Sequence, residues 1–441
     1  MTQWSEQGSG RSSLRGRNLT YQEQGCREVV AVIFRIRNLA HIERAFGANA
    51  ALEAQAAVCR ILFDELGDDG LVAVRGPGAV DVVIRNPAIF EGRSAAACPV
   101  WLEMLCAKLA LMPMPTSAGP VHLWLSGWWG GRAAAEAGDG PTPRLLSAVF
   151  RGAPIGEAAG WAAQYRADMA KVAACLAALQ SPAPPGLAWQ PVCDPERPSS
   201  ILYHEGLLRT VSDNGEQRSI GDVVMAFERL GFAPLLDRHV VNTVISRLEA
   251  LPTMVMAANI SAQSARLDEW WRQIEARLSH NVDVASRLVI EITETTAIPD
   301  IAVAVHFASH MKRLGCRIAV DDFGAGHASI RQLLALAPDI VKIDRLFIRK
   351  AARSDSGKVV LGHLVALAGA IGATVAAEGI ETAQDARIAI DAGVRWVQGF
   401  HYGAPSLGCG WAVPARGQRA DADVTPGEAE AQLARSCGVA G

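Results

Sequence analysis

Apolar residues recur along this chain at two spacings, every second position over short runs and every third or fourth over longer ones. Their alternation outlines the fold. In the first part, VVAVIFRI after Glu28 predicts a strand, and the stretch from His41 to Leu66 a helix. LVAVRGPGAVDVVI predicts a hairpin turning at Gly76, Pro77 and Gly78. VWLEMLCAKLAL reads as a helix, VHLWLSGW as a strand, and Ala163 to Leu179 as a closing helix. A domain of this make-up is α+β or α/β with a central sheet.

From Ser181 to Pro198 the sequence SPAPPGLAWQPVCDPERP breaks the rhythm, and its prolines predict an extended, semi-rigid linker. The rhythm then becomes regular. Short apolar strands are predicted at ILYHEGLLR, MVMAANIS, RLVIEITET, RIAVDDFG, IVKIDRLF, TVAAEGI and WVQGFHYG, with helices between most of them, such as Asp237 to Leu251 and Ile301 to Leu314. No glycine-rich nucleotide loop follows the first of these strands, so the pattern predicts a (β/α) TIM-like barrel rather than a doubly wound sheet. The expected organisation is a tail at residues 1–27, an α+β domain at 28–180, a linker at 181–198, the barrel at 199–415, and a second tail at 416–441.

A length of 441 residues agrees with two domains, and half of the residues are hydrophobic, enough for large cores. The net charge of -3 predicts neither a nucleic-acid polymer nor a membrane surface as partner, so attraction for any anionic ligand must be local. Nine cysteines without CxxC spacing predict reduced thiols and a cytoplasmic setting. No apolar run approaches the roughly 18 residues that span a bilayer.

Chemistry enters at the strand ends, where a barrel of this class keeps its active site. Each predicted strand carries a polar residue there: Glu205, Asn259, Glu291, Asp321 with Asp322, Lys342, Glu378 and Gln398. The stretch from Arg317 to Ile348 is the densest, with two adjacent aspartates at a strand end and a lysine among hydrophobes in the next strand. Taken alone, an aspartate there caps a helix and a lysine snorkels from an edge. Taken together, Glu205, Asn259, Glu291 and Asp321 form an oxygen-donor set suited to Mg²⁺ or Mn²⁺. Asp322 could hold a second ion, with Asp321 bridging the two, and Lys342 an anionic oxygen or the attacking water of a phosphoryl transfer.

These residues fall in short motifs: EGLLR with Glu205, ANIS, EITET, DDFGAG, VKID, AAEGIET and QGF. In that order the series resembles the EAL family of cyclic di-GMP phosphodiesterases over approximately Trp189 to Trp411. The resemblance implies hydrolysis of cyclic di-GMP to linear pGpG with two Mg²⁺ or Mn²⁺ ions. It makes Glu205, Asn259, Glu291, Asp321 and Asp322 metal ligands, and Lys342, Glu378 and Gln398 catalytic residues. It places Arg209 on a substrate phosphate, and Glu294 and Glu381 as anchors of the loop after Asp322. In the family that loop couples dimerisation to metal binding, which makes a homodimer through the barrel a candidate assembly. Gly206 stands for the middle alanine of the name motif, and Ala325, His327 and Ala328 replace a threonine, an aromatic and a serine of the loop. The substitutions predict a slow or strictly controlled enzyme. The alternative is a catalytically weak or inactive receptor for cyclic di-GMP that acts through a protein partner.

The N-terminal part resembles, by order of elements, a degenerate GGDEF domain. Gly76-Pro77-Gly78-Ala79-Val80 fills the place of its signature hairpin and Arg35 that of its metal aspartate, so diguanylate cyclase activity is not expected. Elsewhere, the pairs Trp128-Trp129 and Trp270-Trp271 read as packing aromatics, and His306 with His310 as a solvated helix face.

Overall fold

The structure, a computed structural model, describes residues 30–85, 98–130, 160–182, 184–211, 217–293, 298–324 and 330–407. Both expected tails and the loop at Ala325, His327 and Ala328 lie outside the described residues, as does Glu294.

The N-terminal unit is α+β. Its elements are β1 (Val30–Ile36), α1 (Leu39–Phe46), α2 (Ala48–Leu66), β2 (Gly70–Gly76), β3 (Ala79–Ile84), α3 (Cys98–Leu111), β4 (Leu125–Gly130) and α4 (Trp161–Leu179). The strands form one antiparallel sheet in the order β2-β3-β1-β4. The single helix expected from His41 to Leu66 is two, because Gly47 turns the chain at φ 98°, a conformation that a side chain would strain. The strand expected over VHLWLSGW begins only at Leu125; Val121 makes an isolated bridge to Met114 instead.

The second unit runs β5 (Gly186–Cys193), β6 (Ile201–Val211), β7 (Gln217–Ser219), α5 (Gly221–Leu230), α6 (Ala233–Ala250), β8 (Met256–Ser261), α7 (Glu269–Ser279), α8 (Val282–Arg287), β9 (Leu288–Thr293), α9 (Ile301–Arg313) and β10 (Arg317–Phe323). It continues with α10 (Ile330–Leu336), β11 (Ile340–Ile343), α11 (Arg345–Arg353), α12 (Asp355–Ala370), β12 (Thr374–Ala377), α13 (Ala383–Asp391) and β13 (Trp396–Val397). The strand order β5-β13-β12-β11-β10-β9-β8-β6 returns to β5 through β5–β6 pairing, and this closes an eight-stranded barrel to which β7 is an edge addition. Helix starts follow local chemistry. Asp268, Asp300, Asp344, Ser354 and Thr382 each accept a backbone N–H of the helix that follows.

The first strand of the barrel corrects the expected linker. Gly186–Cys193 is β5, paired antiparallel with both β6 and β13, while the other barrel pairings are parallel. Pro191 is tolerated because it stands opposite His204, whose own N–H goes to Val255 O on the other side, 2.9 Å away. The β5–β6 ladder therefore asks no donor of Pro191. The apolar residues of α10 divide between two faces. Leu333 and Leu336 face inward, whereas Ile330 and Leu334 are 54% and 55% exposed. The helix has seven residues, and positions 330 and 334 align along its outer edge.

The two units pack together. Arg229 of α5 donates two hydrogen bonds to the buried Asp168 of α4, at 2.8 and 2.7 Å. His122 and Trp124 set their rings edge-on to the fully buried Phe232, with centroids 6.4 and 6.0 Å away.

Candidate active site

Inside the barrel, side chains on alternate positions form layers. The lower layer is apolar: Val192, Tyr203, Ala257, Val289, Ala319, Ile340 and Ala376 pack together, with Trp396 against them. Two residues further along each parallel strand comes a polar one: Glu205, Asn259, Glu291, Asp321, Lys342, Glu378 and Gln398. On antiparallel β5 the step reverses, so Gln190 precedes Val192. All eight barrel strands thus contribute to one polar layer above a dry floor, in which three alanines make room for the ring of Tyr203.

Lys342 is the centre of that layer. It is fully buried, and its Nζ lies 3.0 Å from Glu205 Oε2, 2.9 Å from Glu291 Oε2, 3.0 Å from Asp321 Oδ1 and 2.5 Å from Glu378 Oε1. Glu205 is tied further. Its Oε1 accepts from Asn259 Nδ2 at 2.6 Å, and its Oε2 from Gln398 Nε2 at 2.6 Å. Gln398 Nε2 also reaches Gln190 Oε1 at 3.2 Å, and Gln190 Nε2 donates to Gly403 O at 2.9 Å.

One ammonium cannot neutralise four carboxylates, so the cluster carries an excess of negative charge in a medium that solvates it poorly. Burial works against the charge of Lys342, but the surrounding carboxylates outweigh it and hold the ammonium well above its ordinary value. The carboxylates respond in the opposite sense. Burial, with Glu205 and Asp321 nearby, pushes Glu291 up to about 8 despite Lys342. Burial and then Asp321 hold Glu378 well above its ordinary value. Asp322, at a left-handed φ of 53°, is pushed up to about 7 by burial and by Asp321 and Asp344.

This arrangement fits divalent metal. Oxygens of Glu205, Glu291 and Asp321 lie within 4.8 Å of one another, as do those of Asp321, Asp322 and Glu378, so Asp321 belongs to both groups. Asn259 Oδ1 is buried without a hydrogen-bond partner among the described residues. An unpaired oxygen beside excess negative charge is what a hard cation would satisfy.

Protonated carboxylates also make the metal-free fold pH-dependent. Glu291, Glu378 and Asp322 hold protons that the unfolded chain has already released above the ordinary carboxylate range. Their stabilising effect is complete below that range and is lost as pH rises through about 7 to 8. Thermal melts in EDTA should therefore show a midpoint that falls between about pH 5 and about pH 8, and Mn²⁺ should flatten the slope. A midpoint that rises over that window would mean these groups are already ionised in the fold.

The other expected residues lie apart from this network. Arg209, four positions beyond Glu205 on β6, is half-buried and donates from Nη1 to Leu208 O at 2.9 Å. Glu381 is exposed and pairs with Arg349 at 3.2 Å, and its expected loop partners lie outside the described residues. Gly206 has a local cause: a Cβ there would lie 3.1 Å from Ala257 O and 3.2 Å from both Leu187 and Trp189. Gly206→Ala should lower stability slightly rather than raise activity, because these neighbours must yield a few tenths of an ångström; paired melts and rates check this. His306 is exposed, and the half-buried His310 sets Nε2 3.1 Å from Glu275 Oε2. Sequence reasoning missed Gln190. Its signal was the apolar alternation in LAWQPV, hidden by the flanking prolines.

Comparison with known proteins gives a family. The EAL domain family matches residues 186–405. The cyclic di-GMP phosphodiesterase PdeF of Escherichia coli (strain K12) is 27% identical over 208 residues, 46% of this chain and 28% of that protein. PdeL, a cyclic di-GMP phosphodiesterase of the same strain, is 34% identical over 122 residues, 28% of this chain and 34% of that protein. These matches thus span about a third or less of each relative's length. Among solved structures, the EAL enzyme Bd1971 in its cGMP-bound form superposes with a TM-score of 0.50 at 22% identity, covering 56% of this chain and 69% of that one. That likeness concerns the fold.

Proposed function

Because residues 186–405 belong to the EAL domain family, we propose that this chain is a metal-dependent phosphodiesterase that opens cyclic di-GMP to linear pGpG. The observation that carries the reading is the polar layer itself, with Lys342 among four carboxylates and Asp321 common to two groups of potential metal ligands. The names of PdeF and PdeL support the substrate class.

Glu205, Asn259, Glu291 and Asp321 would hold one Mg²⁺ or Mn²⁺ ion, and Asp321, Asp322 and Glu378 a second. Two such ions acidify water and neutralise phosphoryl oxygens. The chain's own residues do the rest. Lys342 would donate to the oxygen that attacks phosphorus or to the phosphate. Glu378 would accept a proton from the attacking water. Gln398 and Gln190 fix the orientation of Glu205. Arg209 meets a phosphate with its planar fork.

We assign the N-terminal unit a regulatory role without cyclase chemistry. In support, Arg35 of β1 pairs directly with Ala79, so neither position offers a metal-binding carboxylate. A homodimer through the barrel remains part of the same proposal, with the exposed Ile330 and Leu334 as apolar contacts.

The deciding assay incubates purified protein with cyclic di-GMP and Mn²⁺ and follows the nucleotides by chromatography. Accumulation of pGpG that stops on addition of EDTA is expected. Saturable binding of cyclic di-GMP with no linear product would sink the enzyme and leave the receptor.

A further inference from the structure

At the seam between the units, α3, the end of β1 and the start of β4 face α6 and the segment that leaves β8. Between them is a cleft with a free volume of about 60 Å³, room for a few waters or one tetrahedral oxyanion. Its charged lining is uneven. Arg37, Arg238 and Arg266 stand against Glu103 and Asp268.

Both carboxylates are already engaged. Glu103 Oε2 accepts the N–H of Glu269 at 2.7 Å, across the seam. Asp268 Oδ1 caps α7 by accepting from Trp271 N at 3.0 Å, and its Oδ2 accepts from Arg238 Nη2 at 3.2 Å. Arg266 Nη2 is 4.0 Å from that same Oδ2, and its Nε is buried with no hydrogen-bond partner among the described residues. Arg37 donates from Nε to Ser126 Oγ at 2.7 Å, and among the described residues it has no carboxylate within ion-pair distance. Burial lowers the pKa of both Arg37 and Arg266, so each is charged in surroundings that disfavour charge. A guanidinium taken out of water is costly unless an anion and hydrogen bonds compensate it. Here the compensation is incomplete on both sides of the seam: Arg37 pairs with no carboxylate among the described residues, and Arg266 reaches only Asp268, at 4.0 Å, which Arg238 already engages.

We propose that this cleft is a binding site for a phosphate group, held between Arg37 of the N-terminal unit and Arg266 of the barrel. The planar donor forks suit a tetrahedral oxyanion. The cleft opens beside a groove of about 510 Å³ that shares Glu103 and Arg238 and adds Trp270 and the exposed Met104. That groove has room for the organic part of a phosphomonoester. The site would also report to the barrel. Arg266 follows Asn259 on the segment that Asp237 ties down, its Oδ2 accepting from Ser261 N at 2.9 Å and from Ser264 Oγ at 2.5 Å. A phosphate bridging the seam would therefore fix the end of β8, where Asn259 stands.

The test uses the full chain in EDTA, where the barrel carboxylates have no metal through which to bind phosphate. Thermal melts and titration calorimetry are run with inorganic phosphate and, separately, with guanosine monophosphate. A saturable rise of the melting midpoint is expected, with Kd weakened about tenfold or more in both Arg37→Gln and Arg266→Gln. Arg277→Gln, whose partner is the exposed Glu249, should bind like the unaltered chain. Tighter binding of the nucleotide than of phosphate assigns the groove to the organic part, and equal binding assigns the site to phosphate alone. If Arg266→Gln does not fold, Arg37→Gln, on a half-exposed side chain, decides alone. No saturable response to either probe, or undiminished binding in the folded variants, overturns the proposal. Because no turnover is read, failure here is distinct from failure of the phosphodiesterase reading.

Discussion

Asp321→Asn should lower turnover of cyclic di-GMP by roughly a thousand-fold or more, since each ion is asked for several kcal/mol of transition-state stabilisation. Asp321 is the one carboxylate common to both groups of potential ligands, so its loss weakens two sites at once. It is also one of the four acids around Lys342, at 3.0 Å. An amide of the same shape keeps the packing but removes a charge, and the folded state should survive with a melting midpoint close to that of the unaltered chain in EDTA. Two measurements belong together: steady-state rates with Mn²⁺, and a Mn²⁺ titration followed by calorimetry. Near-normal rates with a normal Mn²⁺ stoichiometry would remove Asp321 from the metal site and with it the two-ion reading.

A larger effect, on folding, is expected from removing β5. A chain that begins at Ser200, one residue after the expected start of the barrel, lacks the strand that joins β6 to β13. Its barrel would expose the long edge of β6 and the short edge of β13 with unpaired N–H and C=O groups and uncover the buried layer beside Tyr203. No cooperative thermal transition should remain. A graded version is Trp189→Ala in the full chain. Trp189 is 1% exposed, and emptying so large a buried site costs about 3–5 kcal/mol. Circular dichroism melts read both. A chain from Ser200 that melts cooperatively near the midpoint of the full protein would show that β5 is dispensable, and the barrel would have to close in another way.

The sequence went further with the site than with the boundaries around it, and the reason is the range of the interactions involved. Side-chain direction in a strand is a local property: residues two apart share a face whatever the strand pairs with. Ala257 with Asn259, Ile340 with Lys342 and Ala376 with Glu378 could therefore be read as floor and rim from spacing alone, and the parallel strands converge as that spacing requires. Caps such as Asp300 and Thr382 are local in the same sense.

Pairing is not local. Nothing within SPAPPGLAWQPVCDPERP says that Pro191 will stand where no donor is needed, because that depends on His204 giving its N–H to Val255. The same limit hid Gln190, whose role exists only where Gln398 reaches it from the neighbouring last strand, 208 residues away in sequence. It also hid the outward turn of Ile330 and Leu334, settled by which side of a seven-residue helix meets the core. The residue types in this chain determined what chemistry its strand ends can perform. The closed barrel decided that one lysine would face four carboxylates, and the packed seam decided that Arg266 would share Asp268 with Arg238, because charge balance inside a fold depends on neighbours that the linear order does not contain.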